Sequence, residues 1–133
     1  AAPEILKGRE TILIVDDEPM ISEVTKELLE QLGYRAIVAG SGQEAIDIFS
    51  KDWDRIDLVI MDMIMPGLSG GETFDLMKAI KLDVKVILSS GYSVNGMALE
   101  IMNRGIKAFI QKPFRLEDIS RRIREVFDGA PTC

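Results

Sequence analysis

The residues best placed to do chemistry are acids that end apolar runs. Ile12-Leu13-Ile14-Val15 breaks into Asp16-Asp17-Glu18, and Leu58-Val59-Ile60-Met61 ends in Asp62. Continuous apolar runs of this length read as strands buried on both faces. If both strands point the same way in a parallel sheet, their acids meet at its carboxyl end, where open α/β sheets place their sites. At ~5 Å and an effective dielectric of ~20, each pair of charges repels by roughly 3 kcal/mol. A proton or a bound cation must relieve that repulsion.

Such a meeting demands parallel strands, and the pattern along the chain predicts them. Short apolar runs alternate five times with helical stripes, the signature of βα repetition with helices on both faces of a sheet. The strand segments are Thr11 to Val15, Ala36 to Ala39, Leu58 to Met61, Val84 to Ser89 and Ala108 to Ile110. Met20, Ile21, Val24, Leu28 and Leu32 recur at helical spacing between Pro19, which suits a first helical position, and Gly33, which suits the residue past a helix end. Ser41 with Glu44, and Ser69 with Glu72, have capping-box spacing and predict helices over 42–51 and 70–81. A shorter helix over 94–104, weakened by Gly96, and a last one striped by Leu116, Ile119, Ile123, Val126 and Phe127 complete the set. This element count closes as a flavodoxin-like (βα)5 sandwich, a parallel five-stranded sheet of order 2-1-3-4-5 with right-handed crossovers. Segments 1–9 and 128–133, broken by Pro3, Gly8, Gly129 and Pro131, read as a flexible lead-in and tail around one domain over 10–127.

Composition narrows the function. At 133 residues and 47% hydrophobic content, the chain can bury one core without covalent staples. The one cysteine, Cys133, rules out an intrachain disulfide and leaves a cytoplasmic setting as the default. No apolar run approaches the ~20 residues of a membrane span, and Ala1 to Glu10 lacks a signal-peptide pattern, so no membrane contact by this segment is expected. A net charge of -6 argues against direct nucleic-acid binding, which needs clustered Lys and Arg. Arg121, Arg122 and Arg124 read as a solvated helix face.

Four motifs stand in order at predicted strand ends: Val15-Asp16-Asp17-Glu18, Met61-Asp62 running on to Ser69-Gly70, Ser89-Ser90-Gly91-Tyr92 and Gln111-Lys112-Pro113-Phe114. Together, over roughly Glu10 to Phe127, they resemble the receiver domain of two-component response regulators. The resemblance implies that Asp62 accepts a phosphoryl group from a phosphohistidine on a histidine kinase or histidine phosphotransfer protein. Elementary chemistry agrees, because a carboxylate is already ionised at neutral pH and needs charge neutralisation and alignment rather than a general base. The family pattern puts Mg2+, or Mn2+ in its place, on Asp17, Asp62 and the backbone carbonyl of Ile64, with Asp16 acting through a water; a hard ion with oxygen ligands suits that set. It makes Lys112 the second cation on the phosphoryl oxygens and the Lys112–Pro113 bond cis. It also assigns Ser90 and Phe109 to a switch in which the hydroxyl is drawn inward and the aromatic ring turns, with readout on the last strand and the two helices flanking it. A homodimer through that face is one expected output.

Other features weigh toward structure. Gly91 replaces the small alanine common in receivers, a variation that recurs among receivers of hybrid sensor histidine kinases. That likeness favours the C-terminal receiver of such a kinase over a stand-alone regulator. Ser89 competes with Ser90 for the hydroxyl role. Ile64 and Tyr92 flank the expected phosphoryl site and are placed to screen it from water. Met61, Met63 and Met65 read as core and loop filler, Trp53 as a cover over a hydrophobic edge, and Gly67, Gly70 and Gly71 as turn residues. Two other functions compete: a magnesium-dependent aspartyl-phosphate phosphatase, whose Asp-x-Asp spacing Asp16-Asp17-Glu18 fails, and a phosphorylation-independent pseudo-receiver, against which the intact acid set argues. With no histidine in the chain, the phosphoryl donor must lie on another segment or partner.

Overall fold

A computed structural model describes residues 6–91 and 105–129. The expected helix over 94–104, with Gly96 and Tyr92, lies outside the described residues. The strands are β1 (Thr11–Val15), β2 (Arg35–Ala39), β3 (Leu58–Asp62), β4 (Val86–Ser90) and β5 (Ala108–Gln111). They form one all-parallel sheet in the order β2-β1-β3-β4-β5. The helices are α1 (Pro19–Gln31), α2 (Gly42–Asp52), α3 (Gly70–Ile80) and α4 (Leu116–Asp128).

Side-chain alternation along the strands divides the core into two layers. Leu13, Val15, Val59, Met61, Val86 and Leu88 face one side, where they pack with Phe49 of α2 and with Phe74 and Met77 of α3. Ile12, Ile14, Leu58, Ile60, Ile87 and Ile110 face the other, against Leu29 of α1 and Ile119 and Ile123 of α4. Burying each such side chain is worth about 1.5–3 kcal/mol, which fixes the register because a one-residue slip would swap the two layers.

Local chemistry sets the helix starts. Ser69 and Glu72 form a complete capping box, each satisfying the other's backbone N–H, whereas Ser41 accepts from the Glu44 N–H without the reciprocal bond. Glu18 caps α1 without its side chain, and its N–H instead donates to Asp16 Oδ1 at 2.9 Å. Gly33 ends the turn after α1 at φ 96°.

Three expectations change. The first concerns α1, which buries Ser22, Thr25 and Leu29 and, of its apolar stripe, only Leu32 at its end, while Met20 is 81% and Val24 57% exposed. Residues 6–9, expected within a flexible lead-in, are bonded to the body: Leu6 N–H donates to Ser120 Oγ at 2.8 Å and Gly8 N–H to the Leu32 carbonyl at 3.0 Å. Gly8 and Gly33 cross so closely that a side chain on either would strike the other strand of the crossing or Tyr34. Finally, Arg124 is not part of a solvated face: it donates to Glu10, Asp128 and the Tyr34 hydroxyl and lies over the Phe127 ring. Arg121 and Arg122 do stay exposed, paired with Asp118 and Glu125.

Candidate functional site

The carboxyl rim of the sheet gathers the acids. Asp16 directly follows β1, Asp62 is the last residue of β3, and those two strands are neighbours in the sheet. One carboxylate oxygen from each of Asp16, Asp17 and Asp62 lies within 4.8 Å of the others. Asp16 and Asp62 are buried and Asp17 is exposed, so the cluster opens to solvent on one side.

Lys112 reaches this cluster from the loop after β5. Its Nζ donates to Asp16 Oδ2 at 2.6 Å and stands 3.4 Å from Asp62 Oδ2. Backbone bonds hold the loop: the Lys112 N–H donates to the Ser90 carbonyl at 2.7 Å, and the Lys112–Pro113 peptide is cis. The carboxylates are fixed in turn. Asp16 Oδ1 accepts from Glu18 N–H, its carbonyl accepts from the Ser22 hydroxyl at 3.3 Å, and Asp62 Oδ1 accepts from Ile64 N–H at 3.3 Å.

Asp62 and Lys112 both titrate above their ordinary values. Burial pushes the Asp62 carboxyl above its usual range and the Asp16 charge adds to this, while Lys112 and the Ile64 N–H pull the other way without cancelling it. Burial alone would lower Lys112, but its hydrogen bond to Asp16 and the charges of Asp62 and Asp16 outweigh burial and hold the ammonium above an ordinary lysine. The shifts differ in origin: burial leads for Asp62, whereas two buried carboxylates around one ammonium outweigh burial for Lys112.

A cavity of ≈ 640 Å³ opens over Asp62, lined also by Glu18, Ile21, Ile64, Ser90, Gly91, Lys112 and Pro113. Ser90 therefore faces the acids' cavity; it is the final residue of β4 rather than a residue beyond it, while Ser89 pairs in register with Asp62. Phe109 of β5 is partly buried against the Leu88 layer and lines a separate cavity with Gln111, Asp118 and Arg121. Ile64 is 53% exposed at the cavity mouth. Met61, Met63 and Met65 are buried in the core, and Trp53, expected to cover an edge, is 43% exposed at the end of α2.

The sequence reading missed two contributors. One is Ser22, whose hydroxyl holds the Asp16 carbonyl; its burial on α1 would have been visible only by treating a hydroxyl as a core residue. The other is the apolar face of α1, where Met20, Ile21, Val24 and Leu28 line a groove of ≈ 290 Å³ with Lys112, Pro113 and Phe114. Ile21, Lys112 and Pro113 line both this groove and the Asp62 cavity.

Residues 12–124 match the response regulator receiver domain. The chain belongs to this family. The receiver is 34% identical over 116 residues to the Bacillus subtilis sporulation initiation phosphotransferase F, covering 87% of this chain and 92% of that one. The response regulator TrrA of Thermotoga maritima, solved in complex with Mg2+ and BeF, superposes with a TM-score of 0.79 at 33% identity, over 88% of this chain and 98% of that one. The sensor kinase CckA of Brucella abortus is 28% identical over 92% of this chain, which spans only 13% of that kinase's length. The receiver is thus a phosphoacceptor module of two-component signalling whose acidic pocket is built by Asp16, Asp17 and Asp62. Such domains work with kinases and phosphotransferases. Among the described residues, no helix is long and apolar enough to cross a membrane.

Proposed function

We propose that Asp62 is the phosphoacceptor and that a phosphohistidine on a histidine kinase or histidine phosphotransfer protein is its donor. The observation that carries this reading is the convergence of Lys112 on Asp16 and Asp62, at 2.6 and 3.4 Å, beside an open cavity. An Asp62 oxygen attacks phosphorus, the P–N bond to the donor imidazole breaks, and the imidazole leaves to take a proton from solvent. Lys112 balances charge on the phosphoryl oxygens as the bond transfers.

The donor set fits a hard divalent ion: three carboxylates converge with an excess of negative charge, and no soft ligand lines the cavity. Asp17, Asp62 and the Ile64 carbonyl would hold Mg2+ or Mn2+ directly, and Asp16 through a water. When bound, the ion supplies charge neutralisation and a fixed place for one phosphoryl oxygen. Ser90 then moves toward the phosphoryl group and Phe109 turns into the space it leaves. The readout face lies on β5 and α4, and a homodimer through it is one output.

The α1 groove is the docking face for the donor. It is apolar, it carries exposed Met20 and Val24, and it runs into the Asp62 cavity through Ile21, which suits a helix presenting a phosphohistidine. We place the receiver, its body taking in residues 6–9 and α4 through Asp128, in the cytoplasm and in a hybrid sensor kinase; the Ser90-Gly91-Tyr92 pattern and the similarity to CckA support that placement.

Intact-mass measurement after exposure to Mg2+ and acetyl phosphate tests the assignment. One phosphoryl adduct is expected on the wild type and none on Asp62→Asn. An adduct on both proteins would remove Asp62 from its role.

A further inference from the structure

The loop between β3 and α3 carries Ile64, whose N–H already holds Asp62 Oδ1. That loop is closed tightly on itself: Gly70 N–H donates to the Met63 carbonyl at 3.1 Å, so the first turn of α3 returns onto the end of β3. A β-carbon on Gly70 would lie 2.7 Å from the Asp62 carbonyl oxygen, 3.0 Å from Met63 Cα and 3.1 Å from the Met63 carbonyl oxygen. All three are backbone atoms, which cannot swing aside as a side-chain tip can. A second glycine presses the loop from α2, where a β-carbon on Gly42 would meet Thr73 Oγ1 and lie 2.8 Å from Leu68 Cβ.

The strand side of this contact cannot yield. β3 lies between β1 and β4, Asp62 pairs with Ser89, and Met63 N–H donates to the Ser89 carbonyl at 2.9 Å. Any widening at Gly70 must therefore displace residues 64–69, and Ile64 with them. We propose that Gly70 is a positioning residue for phosphoryl transfer: its bare backbone lets α3 close onto β3, and that closure sets where the Ile64 N–H and carbonyl stand relative to Asp62. This rests on the metal reading above and adds a determinant that touches neither the phosphoryl group nor the ion. Supporting groups behind metal ligands typically govern affinity by ~10–100-fold.

The experiment compares Mg2+ affinity by calorimetry, on the full chain, for the wild type, Gly70→Ala and Leu29→Ala, together with hydrogen exchange at the Ile64 amide without metal. Leu29 is fully buried on the opposite face of the sheet and serves as a destabilised control. Gly70→Ala is expected to lose at least ~10-fold in Mg2+ affinity and to speed Ile64 exchange, while Leu29→Ala unfolds more easily yet stays within about twofold of the wild-type affinity. Wild-type affinity in Gly70→Ala, or an equal loss in Leu29→Ala, overturns the proposal. Should Gly70→Ala not fold, Gly42→Ala carries the test, because it presses the same loop at Leu68; unchanged Mg2+ affinity there overturns the proposal as well. A wild type that binds no Mg2+, or an Asp62→Asn chain that binds it equally well, sinks the metal reading instead.

Discussion

Lys112 bonds Asp16 at 2.6 Å and stands 3.4 Å from Asp62, so one ammonium answers two buried carboxylates. Replacing it with alanine strands both acids without a cation, a change that costs about 3 kcal/mol when the partner charge is buried. Lys112→Ala should lose that stability in urea denaturation with chelator and recover part of it in Mg2+, while phosphorylation by acetyl phosphate slows by about a hundredfold or more. Asp62 shows the opposite sign. Burial raises its pKa above 3.8, so the folded chain takes up the proton before the unfolded chain does. Without metal, the penalty of its charge is complete above the raised folded value and fades as pH falls through it. Asp62→Asn is therefore expected to be more stable than wild type by about 1 kcal/mol near neutral pH, an advantage that disappears in acid; thermal melts across pH in chelator check it. Lys112 contributes stability that is complete below 10.5 and lost as pH climbs through its raised folded value.

At the scale of elements, α1 separates what hydropathy reveals from what it conceals. The apolar runs ending in acid were legible as strands because parallel strands are buried on both faces, and their order followed from the element count and crossover handedness. The face of α1 was not legible. Ser22 and Thr25 are both 3% exposed, the Ser22 hydroxyl bonds the Asp16 carbonyl, and among the described residues no buried side-chain polar atom lacks a partner. A hydropathy stripe counts such residues as solvent-facing and rotates the helix by part of a turn. The bounds of β4 were misjudged by two residues at the start and one at the end, since Val84 is buried without belonging to β4 and burial alone does not mark where pairing begins or stops. Met20→Ser with Val24→Ser should change the melting free energy by no more than ~0.5 kcal/mol, as exposed substitutions do. The same pair is expected to slow phosphoryl transfer from a protein donor while leaving labelling by acetyl phosphate unchanged, and parallel assays with the two donors check it.

Across the whole molecule, distant parts of the sequence are tied at Arg124. It bonds Glu10 before β1 at 2.9 Å and Tyr34 before β2 at 3.3 Å from within α4, so the lead-in, the sheet and the last helix share one guanidinium. Sequence could not reveal this, because the tie depends on a crossing of Gly8 and Gly33 that no periodicity encodes. Arg124→Ala is expected to cost ~1–2 kcal/mol in urea unfolding without altering Mg2+ affinity. Calorimetry on the folded variant checks the second half. The Asp16, Asp17 and Asp62 constellation was readable because its members end strands, and strand ends are where a parallel sheet must bring residues together. The outward position of Met20 bears finally on partner choice. An unbranched, polarizable thioether moulds itself to many shapes, so such a surface grips without discriminating. On the proposed docking face, selectivity among rival donors would then fall to repulsion and attraction by the charged neighbours Glu23, Lys26 and Glu27 on the same helix, where one reversed sign can turn a partner away.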